Sequence, residues 1–372
     1  MSEEIDLFDT SVSEYEDDEI KEIPKEIRKI RTQPYDYSVE YIVNLIKNGK
    51  IYLEPDFQRN ARVWDDKTAS LLIESILLNV PIPPIYVSEE DDGKWNIIDG
   101  LQRLNSFKRF LNNDFKLRGM EAFPELNKLN YENLPSKARS VLNDGALRII
   151  LITKESHPEM QYDVFMRLNR GSVKLTEQEL RNCLYRGKLN NLIKELCNNA
   201  NLLNILGLKE PHKRMDDAEL VLRYLAISEN YDWEKHMVLE YKSVMKTFLN
   251  TFMKQHQNPS DEKILQLKDK FENTLDKVFS VFEQNAFRRI LETGEYYNWI
   301  NKAIFDFIML SFECYSKDSL VRNKDKIFDL LKSLPLQDAD FYRAISSGTS
   351  EKNNLNYRLD KWLREMDKII NA

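Results

Sequence analysis

Apolar positions in the first half of the chain follow two periods. Val39, Ile42, Val43, Leu45 and Ile46 recur every three or four residues, which predicts a helix from Ser38 to the break at Gly49. Ile51 to Leu53 reads as a short strand. Asp65 or Asp66 can cap a helix over Lys67–Leu78, in which Leu71, Leu72, Ser75, Ile76 and Leu78 are apolar or small. Pro81, Pro83 and Pro84 exclude helix after it. Ile85 to Ser88 and Trp95 to Ile98 then read as two strands, joined by a hairpin turn at Asp91-Asp92-Gly93.

The helical period returns at Leu101, Leu104, Phe107, Lys108 and Leu111. A short helix over Ser136–Leu142 and a β-branched strand over Ala146–Thr153 follow. Pro158 suits the first position of a helix reaching Leu168, and Gly171 breaks it. Thr176-Glu177-Gln178-Glu179 is a capping box that opens another helix. Beyond about Leu180 strands almost vanish. Amphipathic stretches cover Leu189–Cys197, Ala218–Ile227, Tyr241–Phe252, Asp261–Phe282, Tyr296–Tyr315 and Lys326–Leu331. The class expected is α+β, a mixed α/β N-terminal domain over 35–185 and an all-helical domain over 186–372. Residues 1–34 read as an acidic tail and linker, with Ile23 to Pro34 as its mixed-charge end.

Charge sharpens this division. The chain of 372 residues has a net charge of −7, but ten acids against Lys21 alone crowd residues 1–22. The remainder is close to neutral, which argues against a strong sequence-independent grip on DNA. The tail either solvates or competes with nucleic acid for a basic surface. No apolar run approaches the length of a membrane span, and acids stand where a secretion signal has lysines, so a cytoplasmic protein is expected. Cys183, Cys197 and Cys314 lie far apart and read as free thiols. His157, His212, His236 and His256 have no zinc-ligand spacing, and no P-loop or nucleophile elbow occurs.

Three stretches can carry chemistry. In Asp99-Gly100-Leu101-Gln102-Arg103 a strand turns on glycine into a helix, whose first N–H groups and dipole favour a phosphate. Arg103 can meet phosphate oxygens, and Asp99 a magnesium ion. The local alternative makes Asp99 an N-cap and leaves Arg103 on a solvated face. In Glu54-Pro55-Asp56-Phe57-Gln58-Arg59, with Arg62-Val63-Trp64, Gln58 and Arg59 can face the same anion, or form a polar loop anchored by Phe57 and Trp64. In Phe165-Met166-Arg167-Leu168-Asn169-Arg170-Gly171, Asn169 can bond a base or ribose, or simply lie at a helix end. Arg214, Asp216, Asp217 and Glu219 form a charged cluster that reads as a cap.

Together and in this order, these elements resemble the ParB-related domain at the N-terminus of GmrSD-type modification-dependent restriction proteins. The residues are Pro55-x-Phe57-Gln58-Arg59 with Trp64, Ile98 to Leu104, and Phe165-x-x-Leu168-Asn169-x-Gly171 with Leu175 and Glu179-Leu180-Arg181. The second half resembles the helical extension of stand-alone members, through Arg214-Met215-x-Asp217-x-Glu219 and Phe248-Leu249-Asn250. Leu101 departs from the family's central Asp-Gly-Gln-Gln-Arg. The resemblance implies a nucleoside triphosphate held by Arg59, Gly100, Gln102, Arg103 and Asn169, with magnesium at Asp99. It implies hydrolysis through Gln58, Arg59, Asp99, Gln102 and Arg103, in bacterial defence against phage DNA. A separate nuclease or effector would then do any cutting, and oligomers are possible. The alternative is a non-catalytic nucleotide- or DNA-binding regulatory module that acts through a partner.

Overall fold

The computed structural model of the chain describes residues 30–53, 64–90, 92–156, 176–291 and 293–371, together with Phe8 and Val164. The chain divides into one unit of residues 22–175 and a second of residues 176–372 with residues 1–21.

The first unit is built on a five-stranded mixed sheet. Its strands are β1 (Thr32–Ser38), β2 (Ile51–Tyr52), β3 (Ile85–Glu89), β4 (Trp95–Asp99) and β5 (Ala146–Ile152), in the order β1-β5-β3-β4-β2. β1 pairs antiparallel with β5, β5 parallel with β3, β3 antiparallel with β4, and β4 parallel with β2. β3 and β4 form the expected hairpin; Asp91 of its turn lies outside the described residues.

β1 corrects one expectation, because the sequence places a linker as far as Pro34. Its residues Thr32 to Pro34 are exposed and do not alternate, so period-2 reading fails. An edge strand tolerates Pro34 because one row of its N–H groups needs no partner. Asp36 sits opposite Arg148 and accepts two hydrogen bonds from its guanidinium, at 2.9 and 2.7 Å, a cross-strand pair that supports this register.

The helices of this unit are α1 (Val39–Lys47), α2 (Asp66–Leu77), α3 (Leu101–Leu111) and α4 (Ser136–Asp144). Ser38 caps α1 by accepting the Tyr41 N–H, and Asp65 caps α2 by accepting the Thr68 N–H at 2.7 Å. Val39, Ile42 and Val43 of α1, Ala69 and Ile73 of α2, and Leu104, Phe107 and Phe110 of α3 are buried in one core with Ile85, Val87, Leu147 and Ile149 of the sheet. Burial of an apolar side chain of this size contributes roughly 1.5–3 kcal/mol.

The second unit is largely helical, with a two-stranded ribbon of Tyr231–Asp232 and Met237–Val238. It begins ten residues before the expected boundary, because helix Glu177–Leu184 is tied into it by Arg181. That guanidinium is buried, donates to Asn250 Oδ1 at 2.9 Å and pairs with Glu219 at 3.0 Å, so Arg181 is no surface residue. Helix Lys302–Phe312 is buried all round from Ala303 onward. The expected helices Tyr241–Phe252 and Tyr296–Tyr315 start late, at Met245 and Lys302. Ser243 has a positive φ just before the first, and Asn301 caps the second by accepting the Ile304 N–H. Helices Ala200–Leu206, Lys317–Arg322, Ala339–Ser346 and Lys352–Ile370 are additional to the sequence reading.

Two clusters of buried charge fasten this unit. Asp306 accepts bonds from Arg223 Nε at 3.1 Å and Nη2 at 2.7 Å, and from Arg358 Nη2 at 2.8 Å. Glu219 is bound by Arg181 and Lys302; burial pushes its carboxyl up, but Lys302, Arg181 and Arg223 outweigh burial and hold it below the usual range. Removing one partner from such a cluster leaves an uncompensated buried charge. Asp306→Ala is therefore expected to destabilise the chain by about 3–5 kcal/mol, measured by urea unfolding. A change within a few tenths would show that the two arginines find other partners.

Candidate functional site at the start of α3

β4 ends at Asp99, Gly100 reverses the chain, and α3 begins at Leu101. Gly100 holds the N-cap position with φ +97°, a left-handed conformation that an L side chain adopts only with strain. A Cβ added there would fall 2.8 Å from Cγ1 of Ile85 on β3. The helix therefore starts hard against the sheet, and among the described residues no side chain caps it. Its first N–H groups, before Leu104 N–H closes on the Gly100 carbonyl at 3.0 Å, are the ones a helix leaves without an internal partner.

Neither local alternative for this turn holds. Asp99 is not the N-cap; its Oδ2 takes Arg103 Nη2 at 2.6 Å. Arg103 does not face solvent either. It is buried, and its Nη1 donates to the backbone carbonyls of Pro83 and Pro84, the residues that lead into β3. The Asp99 side chain stays 40% exposed, and Arg103 takes its Oδ2. One carboxylate oxygen fits magnesium, which commonly takes one or two carboxylates and completes its shell with phosphate oxygens and water. Among the described residues no group of three or more His, Cys, Asp or Glu side chains stands together as a metal cage.

Gln102 performs a task the sequence did not disclose. Its Oε1 accepts the Trp64 backbone N–H at 3.1 Å, and Arg109 Nη1, two turns along the same face, donates to the Trp64 carbonyl at 3.0 Å. Arg109 Nη2 also pairs with Asp66 at 2.8 Å, at the start of α2. The seven-residue spacing of Gln102 and Arg109 is the one available sequence signal, and it is weak. Residues 54–63 lie outside the described residues, and with them Gln58 and Arg59. The residues that bracket them are placed: β2 runs parallel beside β4, towards the end of the sheet where Asp99 and Gly100 stand, and Trp64 is held on α3.

Asn169, Arg167 and the expected helix from Pro158 also lie outside the described residues. The capping box beyond them is complete: Thr176 Oγ1 accepts the Glu179 N–H at 3.1 Å, and Glu179 Oε2 accepts the Thr176 N–H at 2.7 Å. The Asp216–Asp217–Glu219 cluster does not cap its helix, whose N-cap is Met215 with no side-chain cap bond; it ties the preceding loop to the helix instead. Asp217 accepts the His212 N–H at 2.8 Å and Asp216 meets His212 Nδ1 at 3.2 Å. Structure thus brings Asp99, Gly100, Gln102 and Arg103 together.

Residues 39–186 match the model of the family described as GmrSD restriction endonuclease, N-terminal domain. This part of the chain is thus similar to a GmrSD-type N-terminal domain. Neither the curated proteins nor the solved structures gave a match. No described helix is long and apolar enough to cross a membrane.

Gly100→Ala forces a strained φ and a clash with Ile85, and is expected to cost about 1–3 kcal/mol. Thermal unfolding of the variant measures this, and an unchanged Tm would mean that the turn relaxes freely.

Proposed function

We infer that this chain is the nucleotide-responsive module of a restriction-like system directed at foreign DNA. The similarity to a GmrSD-type domain supports the restriction-like setting. The observation that carries the nucleotide reading is the uncapped start of α3 on left-handed Gly100, beside a half-exposed carboxylate that Arg103 fixes in place.

In this reading the N–H groups of Leu101, Gln102 and Arg103 receive phosphate oxygens of a nucleoside triphosphate. These donors are backbone, so Leu101 in place of the usual glutamine leaves them intact. Asp99 offers Oδ1 to a magnesium ion, which when bound neutralises phosphate charge. Arg103 holds the Asp99 carboxylate and adds a positive charge to the site. Gln58 and Arg59 supply the second wall, Asn169 a contact to base or ribose, and Gln58 or Gln102 orients the attacking water. Catalysis is then positioning and electrostatics, as phosphoryl transfer generally is. A partner nuclease or effector reads the nucleotide state.

The test is phosphate release and Tm with ATP, GTP, CTP and UTP plus magnesium, for the natural chain and Asp99→Asn. Asn keeps an acceptor for Arg103 and removes the charge, so the fold survives. Turnover and a nucleotide-dependent rise in Tm, both lost in Asp99→Asn, are expected; at a hundredfold excess over Kd, binding contributes about 2.7 kcal/mol. A rise in Tm without turnover supports the regulatory-module alternative. No shift with any nucleotide rejects the reading.

A further inference from the structure

A recess of about 480 Å³ opens in the helical unit, at the end of helix Ala200–Leu206 and against the turn that joins Ile290 to Tyr296. Nothing in the nucleotide reading above uses it. Arg288 stands at its wall, half-buried. Its Nη1 donates to the carbonyls of Gln284 at 2.6 Å and Ala286 at 3.3 Å, and Nη2 to that of Ile205 at 2.9 Å. These carbonyls satisfy donors but bring no full negative charge, and no described carboxylate pairs with the guanidinium. Burial accordingly pulls its pKa below the ordinary arginine value, with no acid to oppose the shift. A half-buried charge without a counter-ion favours an anion that can supply one.

The remaining lining is suited to more than a bare anion. Asn204, Asn285 and Asn298 are among the lining residues, and each side-chain amide carries both a donor and an acceptor. Tyr297 lines it too, and its ring is fixed by the Arg289 guanidinium 5.1 Å from the centroid. Glu295 adds an acceptor-only group. The turn that carries these residues is itself braced, with Leu291 N–H bonded to the Glu295 carbonyl at 2.8 Å and Tyr297 N–H to that of Arg289 at 2.9 Å. Gly207, on the opposite rim, has open space where a Cβ would stand.

We propose that this recess is a second ligand site, for a nucleoside monophosphate unit. Arg288 takes the phosphate, Glu295 accepts from ribose hydroxyls, Tyr297 stacks on the base and the amides meet its polar edge. The unit arrives either as a free mononucleotide or as the phosphorylated end of a DNA strand. Both present a phosphate beside a base; only the free nucleotide also offers sugar hydroxyls to Glu295.

The experiment is calorimetric titration of the full chain with the four common nucleoside monophosphates, with a 5′-phosphorylated oligonucleotide, and with inorganic phosphate. EDTA is present throughout, which silences a magnesium-dependent triphosphate site. Saturable binding of a monophosphate or oligonucleotide is expected, weaker by roughly tenfold or more in Arg288→Gln, the usual worth of a charged hydrogen bond. Asn298→Ala and Tyr297→Ala should each weaken it as well, while Asp99→Asn leaves it unchanged. If Arg288→Gln unfolds through loss of its carbonyl contacts, the Asn298 and Tyr297 variants decide. Preference for the oligonucleotide identifies a DNA end, and preference for the monophosphate a free nucleotide. Inorganic phosphate binding as tightly as either, or no heat at millimolar ligand, overturns the proposal. Loss in Asp99→Asn would move the binding to the α3 site and overturn it also.

Discussion

The first unit turns on one guanidinium. Arg103 sits in the opening turn of α3, yet its bonds reach backwards to the end of β4 and across to the carbonyls that precede β3. The end of β4, the start of α3 and the lead into β3 some twenty residues earlier are fixed relative to one another by a single planar fork of donors. An arginine suits this because its donors are rigidly splayed, whereas a lysine is a point charge on a flexible stem. Gly100 is the other half of the constraint, since only a residue without a Cβ lets α3 start this close to Ile85. A turn with a bare helix start and an aimed carboxylate is the product of both.

The helical unit uses charge differently. Asp306 lies in the middle of an apolar helix and gathers Arg223 and Arg358 from two others. Well-packed apolar residues often match such a cluster in stability. What the cluster adds is register: three helices can meet there only with these residues facing. Arg181 and Glu219 repeat the device at the start of the unit.

The sequence disclosed elements where periodicity was strong and failed where tertiary contacts decided. α3 was legible to its last residue because Leu104, Phe107 and Leu111 keep the helical period and Gly100 marks its start. β1 was not, because Pro34 and exposed neighbours hide an edge strand whose partner lies more than a hundred residues away. At the site, the types of Asp99, Gly100 and Arg103 were readable, but the direction of Arg103 was not. Spacing suggested an arginine aimed outward at a ligand. Burial turned it inward, because Asp99 and two carbonyls needed a donor. The hold of Gln102 and Arg109 on Trp64 joins backbone to side chain, which no residue pattern encodes.

That hold has a consequence for how this domain can change. Residues 54–63 leave from β2 and return to a tryptophan whose N–H and carbonyl are both anchored on α3. The sheet and the helix thereby fix where both ends of this segment stand. The α3 helix therefore anchors two things at once, the turn at Gly100 and the point where the chain re-enters the described fold, so a shift of α3 would carry both together.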